Sequence, residues 1–315
     1  MERRRLLVAL GGAALVALGV AAGVLVARTG RRGPEAATST TNAPPVPDLP
    51  RFLADFEVDP PGWQQFTGLQ YEQDRPLADS FALVHDPVRE GRSAARFTAQ
   101  QGYSRFGANE DTEAVWHSGE REGDDYWYAW STLFPADWQS PYHWGIFAQW
   151  HAPFPTSPII GFNARDDTAS LDIHTGLTDP VRNSFAHDLE YPLLATLSKG
   201  HWNDFVMHVH WTRTSAGLIQ VYHRVEGQQT LRLLVSVEHI PTFQFTSDGS
   251  GIGTYALLGI YRGSYCAQPT TLNCTSSLGA QPPTVIYQDQ FARARTFAEV
   301  ADMAFPDSPP ALPKS

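Results

Sequence analysis

Apolar residues recur at every second position in many short segments of this chain. The segments that combine this alternation with β-branched and aromatic residues are SAARFTAQ, YWYAWSTLF, WGIFAQWH, IIGFNAR, SLDIHT, WNDFVMHVHWT, LIQVYHRV, RLLVSVEH and YALLGIYR. Turn-forming stretches rich in Gly, Pro, Asp and Ser, such as FPADWQSP and TSDGSGIG, separate them. Many short strands between turns predict an all-β fold, a single jelly-roll sandwich of the concanavalin-like kind.

Helical periodicity is scarce by comparison. The segment TFAEVADM near the end predicts one short helix, because Thr296 and Glu299 have the spacing of a capping box. The sequence shows no internal repeat and no second composition class from residue 51 onward. We therefore expect one domain over residues 51–315.

The N-terminus differs from the rest of the chain. MERRR precedes an uninterrupted apolar run over residues 6–27, which as a helix would extend about 33 Å and span a bilayer core. Residues 1–28 are therefore predicted to be a signal anchor or a signal peptide. Residues 29–50, with TSTTNAPPVPDLP, have the composition of a disordered linker. We expect an extracellular protein, secreted or tethered to the outer side of the membrane by this segment alone.

The charge balance narrows the choice of partners. The 315 residues include 23 Lys and Arg against 33 Asp and Glu, a formal net charge of −10. Such an acidic chain is not expected to bind nucleic acid, which requires a basic surface. An acidic polymer is still compatible, because a local cleft can differ in sign from the whole. We expect a monomer.

Two cysteines, Cys266 and Cys274, stand eight positions apart in YCAQPTTLNCTSS. In an exported protein this spacing favours a disulfide that closes one loop. Two free thiols are the alternative. No zinc signature accompanies them.

The strand GIFAQWH places an amide and an imidazole side by side. Alternation predicts that Phe147, Gln149 and His151 share one face, with Trp150 on the other. A polar face of this kind suits a saccharide groove. The alternative for His151 is a hydrogen-bonded structural histidine.

A second strand, YALLGIYRG, adds aromatic residues to this prediction. Tyr255, Leu257, Gly259 and Tyr261 share one face by alternation. We expect Gly259 to leave room for a ligand against the sheet. Simple packing is the alternative for Tyr261.

Two further constellations allow more than one interpretation. His208 and His210 lie at i, i+2 and point outward in WNDFVMHVHWT, as metal ligands or as solvated or groove-lining residues. In ANEDTEAVW, Asp111 and Glu113 share a face next to Glu110. Paired carboxylates occur in retaining glycosidases, while an acidic strand end or a calcium ligand is the alternative.

Several segments together resemble a known family. GHWNDFVMHVHWTRTSAGLIQVY, YALLGIYRG, VIYQDQFARARTFAEV and GEREGDDYWYAWSTLFPADW are similar to the heparin-lyase-I-like polysaccharide lyases, which include the family 20 glucuronan lyases. The resemblance covers roughly residues 52–300 and keeps the order of the motifs. It implies a jelly roll similar to alginate lyases and cleavage of a uronic-acid polymer by β-elimination.

The resemblance also implies roles. The family pattern Gln-x-His falls on Gln149 and His151, and Gly-x-Tyr falls on Gly259 and Tyr261. Gln149 is expected to neutralise the uronate carboxylate, His151 to act as the base or as a second neutralising group, and Tyr261 to deliver a proton to the leaving oxygen. The sequence leaves open which of His151 and Tyr261 is the base. The residues expected to contact the sugar are Arg105, Asn109, Tyr255, Arg262 and His210.

Two positions depart from the pattern of these relatives. Asp111 stands where alginate-lyase-like relatives carry an arginine, and Leu257 stands where they carry a lysine. Arg105, Arg262 or a Ca²⁺ ion held by Asp111 and Glu113 could compensate for the lost positive charge. A carbohydrate-binding module without catalysis, or a glycoside hydrolase using Asp111 and Glu113, are the alternative functions.

Overall fold

The computed structural model describes residues 51–102, 109–140, 144–153, 156–251, 253–263 and 282–313. The predicted N-terminal segment and linker, Arg105 and both cysteines lie outside these ranges. Predictions about them, including the disulfide, therefore stay predictions. Within the described ranges, no helix is both long and apolar enough to cross a membrane.

Strands dominate the described residues. They are β1 (Phe52–Ala54), β2 (Gly68–Gln70), β3 (Phe81–Val84), β4 (Ala94–Ala99), β5 (Asn109–Trp116), β6 (Asp125–Leu133), β7 (Gly145–His151), β8 (Ile160–Arg165), β9 (Thr168–Asp179), β10 (Ser184–Leu194), β11 (Trp202–His210), β12 (Gly217–Val225), β13 (Arg232–Ile240), β14 (Gln244–Phe245), β15 (Tyr255–Gly263) and β16 (Thr284–Ala294). The helices are α1 (Leu77–Ser80), α2 (Phe297–Ala304) and a 3₁₀ turn (Trp63–Gln65).

The strands form two sheets that pack face to face. The first sheet has the order β10-β9-β8-β7-β15-β5-β2, with β14 paired to β9. The second sheet has the order β13-β12-β11-β6-β16-β4-β3, with β1 paired to β16. All pairings within the two main paths are antiparallel. The predicted all-β sandwich is confirmed.

Aromatic rings from both sheets meet between them. The ring of Trp130 on β6 lies 4.9 Å from Phe162 on β8 and 5.6 Å from Trp150 on β7. Phe205 on β11 stacks on Trp130 at 5.5 Å. Each of these rings is 0% exposed. Because a buried ring of this size contributes about 1.5–3 kcal/mol, this contact fixes which face of β7 and β8 turns inward.

A β-bulge changes the alternation at the start of β7. The register of β7 against β8 shifts between Ile146 and Ala148, which makes Phe147 the extra residue. Phe147 is 0% exposed and its ring lies 5.4 Å from that of Phe134 in the core. The prediction that Phe147 shares the face of Gln149 is therefore wrong. A bulge cannot be read from strict alternation.

The predicted strands and helix form, and two long strands, β10 and β16, were missed. Helix α2 begins after Thr296, whose side chain accepts a hydrogen bond from the Glu299 amide at 3.3 Å, as the capping box predicts. Strand β10 was not predicted because Pro192 interrupts its pattern. β10 lies at the end of the first sheet, where a proline is tolerated since one side of the strand needs no partner.

Candidate active site

The face of the first sheet that points away from the core carries polar side chains on β5, β15 and β7. Ala114, Leu258 and Trp150 of these strands enter the core and are each 0% exposed. Since side chains alternate along a strand, Glu113 and Gln149 lie on the opposite face. We call this the polar face of the first sheet.

Gln149 and Glu113 are joined across the polar face. Gln149 Nε2 donates a hydrogen bond to Glu113 Oε1 at 2.6 Å. The bond crosses β15, which lies between β7 and β5. Both residues are only 3% exposed, and little water competes with this charge-assisted bond. Glu113 therefore holds the amide of Gln149 in one orientation.

His151 is fixed by a ring contact and a backbone hydrogen bond. Its imidazole stacks on Tyr255 at 5.2 Å, and Nδ1 lies 2.7 Å from the Ala152 carbonyl oxygen. A carbonyl only accepts, so Nδ1 carries the proton of the neutral ring and Nε2 carries the lone pair. Burial lowers the pKa of His151, although the Ala152 and Thr156 carbonyls oppose this shift. The imidazole is thus neutral at pH 7 and able to accept a proton.

The phenol of Tyr261 is held from two sides. Asn109 Nδ2 donates to the Tyr261 hydroxyl oxygen at 2.5 Å, and Trp144 contacts the ring edge-on at 4.9 Å. Tyr261 pairs with Asp111 on β5. A phenol that receives an N–H bond on its oxygen still has its own proton to donate.

The predicted catalytic residues share the polar face but lie at different levels along the strands. Tyr261 pairs with Ile146, and His151 pairs with Tyr255. The two levels are separated by the stretch of β7 from Ile146 to His151, about 17 Å of extended strand. Gln149 lies between them. Tyr255, rather than Tyr261, is therefore the tyrosine directly opposite His151.

Arg262 lies on the core side of β15 and not on the polar face. Its Nε donates to Glu110 Oε2 at 2.7 Å and its Nη1 donates to Thr284 Oγ1 at 2.6 Å. Both charged side chains are 0% exposed. The prediction that Arg262 contacts the sugar is wrong, because alternation turns it away from Tyr261 and Glu110 neutralises it.

His210 belongs to the second sheet, away from Gln149. It lies on β11, where His210 Nδ1 is 3.3 Å from Asp125 Oδ2 and His208 Nε2 is 2.7 Å from Asp125 Oδ1. Trp127 stacks on His208 at 4.2 Å. His210 is thus not part of this site, which corrects its assignment as a sugar contact there.

The described residues contain no group of three or more His, Cys, Asp or Glu that could hold a metal ion. Asp111 and Glu113 are 4% and 3% exposed, and Glu113 already receives the Gln149 amide. The structure therefore offers calcium no built set of ligands. A calcium ion shared with a substrate stays a prediction.

Gly259 is required by the backbone geometry of β15. It adopts φ +142°, and the register of β15 against β7 shifts between Leu258 and Tyr261. A Cβ at Gly259 would lie 2.1 Å from the Thr112 carbonyl oxygen and 2.7 Å from Glu113 Cα. Glycine is required there because β5 comes so close. The expectation that Gly259 leaves room for a ligand is wrong.

Polar residues of β8, β9 and β10 extend the same face and were missed by the sequence interpretation. Asn163 Nδ2 donates to Asp172 Oδ2 at 2.6 Å. Burial raises the pKa of Asp172 to about 6, and the carboxylates of Glu190 and Asp188 add to this shift. The signal was present in SLDIHT, where Asp172 and His174 alternate with apolar residues.

Comparison with known proteins assigns the chain to a family. A model of the family described as Polysaccharide lyase matches residues 59–292. The endo-β-1,4-glucuronan lyase of the fungus Trichoderma reesei has 18% sequence identity and a TM-score of 0.59, over 79% of this chain and 97% of its own. The marine alginate lyase of Aplysia kurodai has 12% identity and a TM-score of 0.44, over 73% and 91%.

A search of curated proteins found no match. The similarity to the Trichoderma enzyme shows a shared fold. The family match begins before β2, ends within β16 and covers more than half of the chain, and it includes Gln149, His151 and Tyr261. This chain belongs to the polysaccharide lyase family.

Proposed function

We propose that this chain cleaves a uronic-acid polysaccharide by β-elimination at the polar face of the first sheet. The observation that carries the proposal is the family match, together with the common face of Gln149, His151 and Tyr261. Within the family we assign the chain to the heparin-lyase-I-like group, near the family 20 glucuronan lyases. The similar Trichoderma structure is a glucuronan lyase by its description, which supports this choice.

The reaction requires three operations on one sugar. The C5 proton is removed, the electron pair forms the C4–C5 double bond, and the bond from C4 to the glycosidic oxygen breaks. The departing oxygen takes up a proton, and the uronate carboxylate must be stabilised because negative charge builds on it. Base, acid and carboxylate donor are thus the groups to assign.

His151 is the base. Its Nδ1–H is engaged by the Ala152 carbonyl, so Nε2 is the atom that accepts the C5 proton. The lowered pKa of His151 keeps it in the accepting form at pH 7. Tyr255 stacks on the ring and fixes its plane.

Tyr261 is the acid. Its hydroxyl proton goes to the departing oxygen, and the Asn109 amide then stabilises the phenolate that remains. The phenol takes its proton back from solvent before the next turnover. Asn109 therefore acts on the oxygen of Tyr261 and not on the sugar, which modifies its predicted role.

Gln149 donates to the uronate carboxylate. One N–H of its amide is used by Glu113, and the second is available for the substrate. The pair Glu113–Gln149 explains how an acidic residue assists a site for an anion: the carboxylate accepts the hydrogen bond that orients the Gln149 amide. Arg105 is proposed as the cation that attracts the polymer.

The test is the release of unsaturated sugars, measured by near-ultraviolet absorbance, from polyglucuronate, alginate and other uronic-acid polymers. His151→Ala and Tyr261→Phe are expected to abolish the signal, whereas Tyr255→Phe keeps a stacking ring and most of the activity. Loss of activity in Tyr255→Phe with normal activity in Tyr261→Phe would assign the acid to Tyr255. Assays with and without a chelator decide whether Ca²⁺ takes part.

A carbohydrate-binding module is the second candidate, and one observation favours it. The strands of the first sheet contain two arginines and no lysine; Arg262 is buried and Arg165 is paired with Asp166 at 3.6 Å. Sugar binding without unsaturated product would establish this function. New reducing ends without unsaturation would instead identify a hydrolase using Asp111 and Glu113.

The proposal also covers the localisation, the oligomeric state and the cysteines of the protein. We propose export through the apolar run at residues 6–27, a monomer in solution, and a disulfide between Cys266 and Cys274. Mass measurements of the secreted protein before and after reduction distinguish a disulfide from two thiols, because reduction of a disulfide adds two hydrogen atoms.

A further inference from the structure

Three glycines of the first sheet differ in the room that they leave for a further atom. A Cβ at Gly259 would lie 2.1 Å from the Thr112 carbonyl oxygen, and a Cβ at Gly161 on β8 would have Pro158 Cγ at 3.8 Å as its nearest neighbour. A Cβ at Gly68 on β2 would meet no atom within 4 Å in the part of the chain that the structure describes. Of the three positions, Gly68 is thus the one with open space.

Gly68 lies at the end of a row that begins at Gln149. Gln149 on β7 pairs with Leu257 on β15, and Leu257 pairs with Val115 on β5. Val115 pairs in turn with Gly68, and β2 is the last strand of this path. Directly paired residues of neighbouring strands lie on the same face, so Gly68 belongs to the polar face. A polymer that binds at Gln149 and crosses β15 and β5 therefore reaches the open space at Gly68.

His117 lies at the surface of the same part of the polar face. It follows β5 directly and shares the face of Val115, because Trp116 between them packs against the core. The imidazole of His117 is exposed, and its ring lies 6.2 Å from that of Tyr255, which stacks on His151. It forms no hydrogen bond or ion pair with the described residues. His117 and His151 are thus two strands apart, about 10 Å, with Tyr255 between them.

Thr67 places a second donor beside His117. The His117 backbone amide donates to Thr67 Oγ1 at 3.0 Å, and the Thr67 side chain is exposed. A hydroxyl that accepts one hydrogen bond keeps its own proton to donate, and a neutral imidazole donates through one of its two nitrogens. We call Thr67, Gly68 and His117 the edge site.

The nearest carboxylates along the chain from His117 are already hydrogen-bonded. Glu113 accepts from Gln149 at 2.6 Å. Glu120 is 1% exposed and accepts from Tyr128 at 2.7 Å and from Arg293 at 3.1 Å. The exposed groups that an anion meets at the edge site are therefore donors.

We propose that the edge site binds the carboxylate of the uronate unit next to the one that is cleaved, on the β2 side. The His117 imidazole and the Thr67 hydroxyl donate to this carboxylate, and the open space at Gly68 admits the sugar. A carboxylate accepts several hydrogen bonds at once, so it satisfies both donors. This inference rests on the proposed function, because it takes Gln149 and His151 as the cleavage site. The substrate class is a polymer with consecutive uronate units.

The first experiment measures His117→Ala and the unchanged protein on polyglucuronate, and on the same polymer after extensive carboxyl reduction, which converts uronates to glucose. On polyglucuronate, KM should rise about tenfold with kcat within about twofold, because the lost contact is the same in the ground state and the transition state. On the reduced polymer the rise should shrink to about twofold or less, since most of the carboxylates that His117 binds are gone. An equal rise on both polymers, or an unchanged KM on polyglucuronate, overturns the inference.

The second experiment fills the open space and uses a matched histidine as its control. Gly68→Val introduces a residue that suits a strand and meets no neighbour at Cβ, so KM on polyglucuronate should rise while the urea unfolding midpoint stays nearly unchanged. His201→Ala removes an exposed histidine just before β11 in the second sheet, and KM should not change. Equal effects of His117→Ala and His201→Ala overturn the inference, and so does a normal KM in Gly68→Val.

Binding separates failure of the edge site from failure of the proposed function. Calorimetry with an oligoglucuronate, on protein that carries His151→Gln, measures affinity without cleavage. If no polymer yields unsaturated product, the lyase proposal fails, and the edge site stands only when His117→Ala and Gly68→Val weaken binding and His201→Ala does not. Unsaturated product together with binding that neither edge variant changes overturns the edge site alone. Absence of both product and binding overturns both.

Discussion

The two halves of the polar face differ in how their polar side chains are held. On β5, β15 and β7, each proposed catalytic group contacts a second side chain or the backbone: Gln149 contacts Glu113, His151 contacts Tyr255, and Tyr261 contacts Asn109. On β9 and β10, Glu190 is exposed, Asp188 lies 3.4 Å from His174 Nε2 at the surface, and Asp172 accepts one hydrogen bond from Asn163. Groups that transfer protons need fixed geometry, whereas groups that recognise a sugar keep acceptors for it.

The largest expected effect comes from the half of the polar face on β5, β15 and β7, which we call the fixed half because its side chains are held by neighbours. His151→Gln should lower kcat about 10²- to 10⁴-fold, because general base catalysis contributes that much, and leave KM nearly unchanged. Steady-state kinetics on a uronic-acid polymer measure both values. A rise in KM with kcat unchanged would place His151 in recognition and remove the distinction between the halves.

The two glycines provide the next contrast. Gly259→Ala places a methyl group 2.1 Å from the Thr112 carbonyl oxygen in a positive-φ conformation, and should lower the free energy of unfolding by more than about 2 kcal/mol. Gly161→Ala meets no atom closer than 3.8 Å and should change stability little. Urea unfolding of both variants measures the difference, and similar midpoints would contradict it.

Glu113 tests whether the fixed half works through orientation. Glu113→Leu removes the acceptor that holds the Gln149 amide, and kcat should fall about tenfold since a hydrogen bond to a charged group contributes about 1.5–3 kcal/mol. Glu113→Gln keeps an acceptor oxygen and should recover part of the loss. A purely structural role for Glu113 would change the unfolding midpoint and leave kcat of the folded fraction normal.

The pH dependence of kcat distinguishes a base from a neutralising cation at His151. Its pKa is lowered by burial, so activity should rise as the pH increases through a value below 6.5 and be level at neutral pH. If imidazolium were the active form, activity would instead be lost over this range. Rate measurements from pH 4.5 to 8, on a polymer that does not degrade over this range, distinguish the two cases.

The smallest effect is expected in the other half of the polar face, on β8, β9 and β10. The pKa of Asp172 is raised to about 6 in the folded chain, so the stability it contributes is present below its unfolded pKa and lost as the pH rises through 6. Asp172→Asn should therefore stabilise the protein at pH 8 by up to about 1 kcal/mol, discounted because the group is partly exposed. Thermal unfolding at pH 4 should show no such gain. An identical shift at both pH values would contradict this linkage.

Much of the fold could be predicted from the sequence, because the alternation of apolar residues and the turn residues are local signals. The strand that carries Gln149 and His151 and the capping box at Thr296 both follow from patterns within one segment. Phe147 and Gly259 could not be placed this way, since each belongs to a bulge whose register depends on a neighbouring strand.

The wrong assignments of Arg262 and His210 show a different limit of prediction from sequence. Arg262 follows Tyr261 directly, so alternation alone would have turned it inward, but the need for positive charge in a groove for an anion favoured the opposite prediction. Glu110, its buried partner, is 152 residues away in sequence. His210 was assigned to the groove because sequence does not tell which sheet a strand joins.

The interior bond between Glu110 and Arg262 has a practical consequence for engineering the enzyme. On β5 and β15, a library of groove variants should randomise odd positions such as 111 and 257 and keep 110 and 262 constant. Loss of one partner leaves an unpaired charge buried between the sheets, which lowers the stability of the fold by about 3–5 kcal/mol. Clones with a changed partner would then disappear from the screen through poor expression, whatever their specificity.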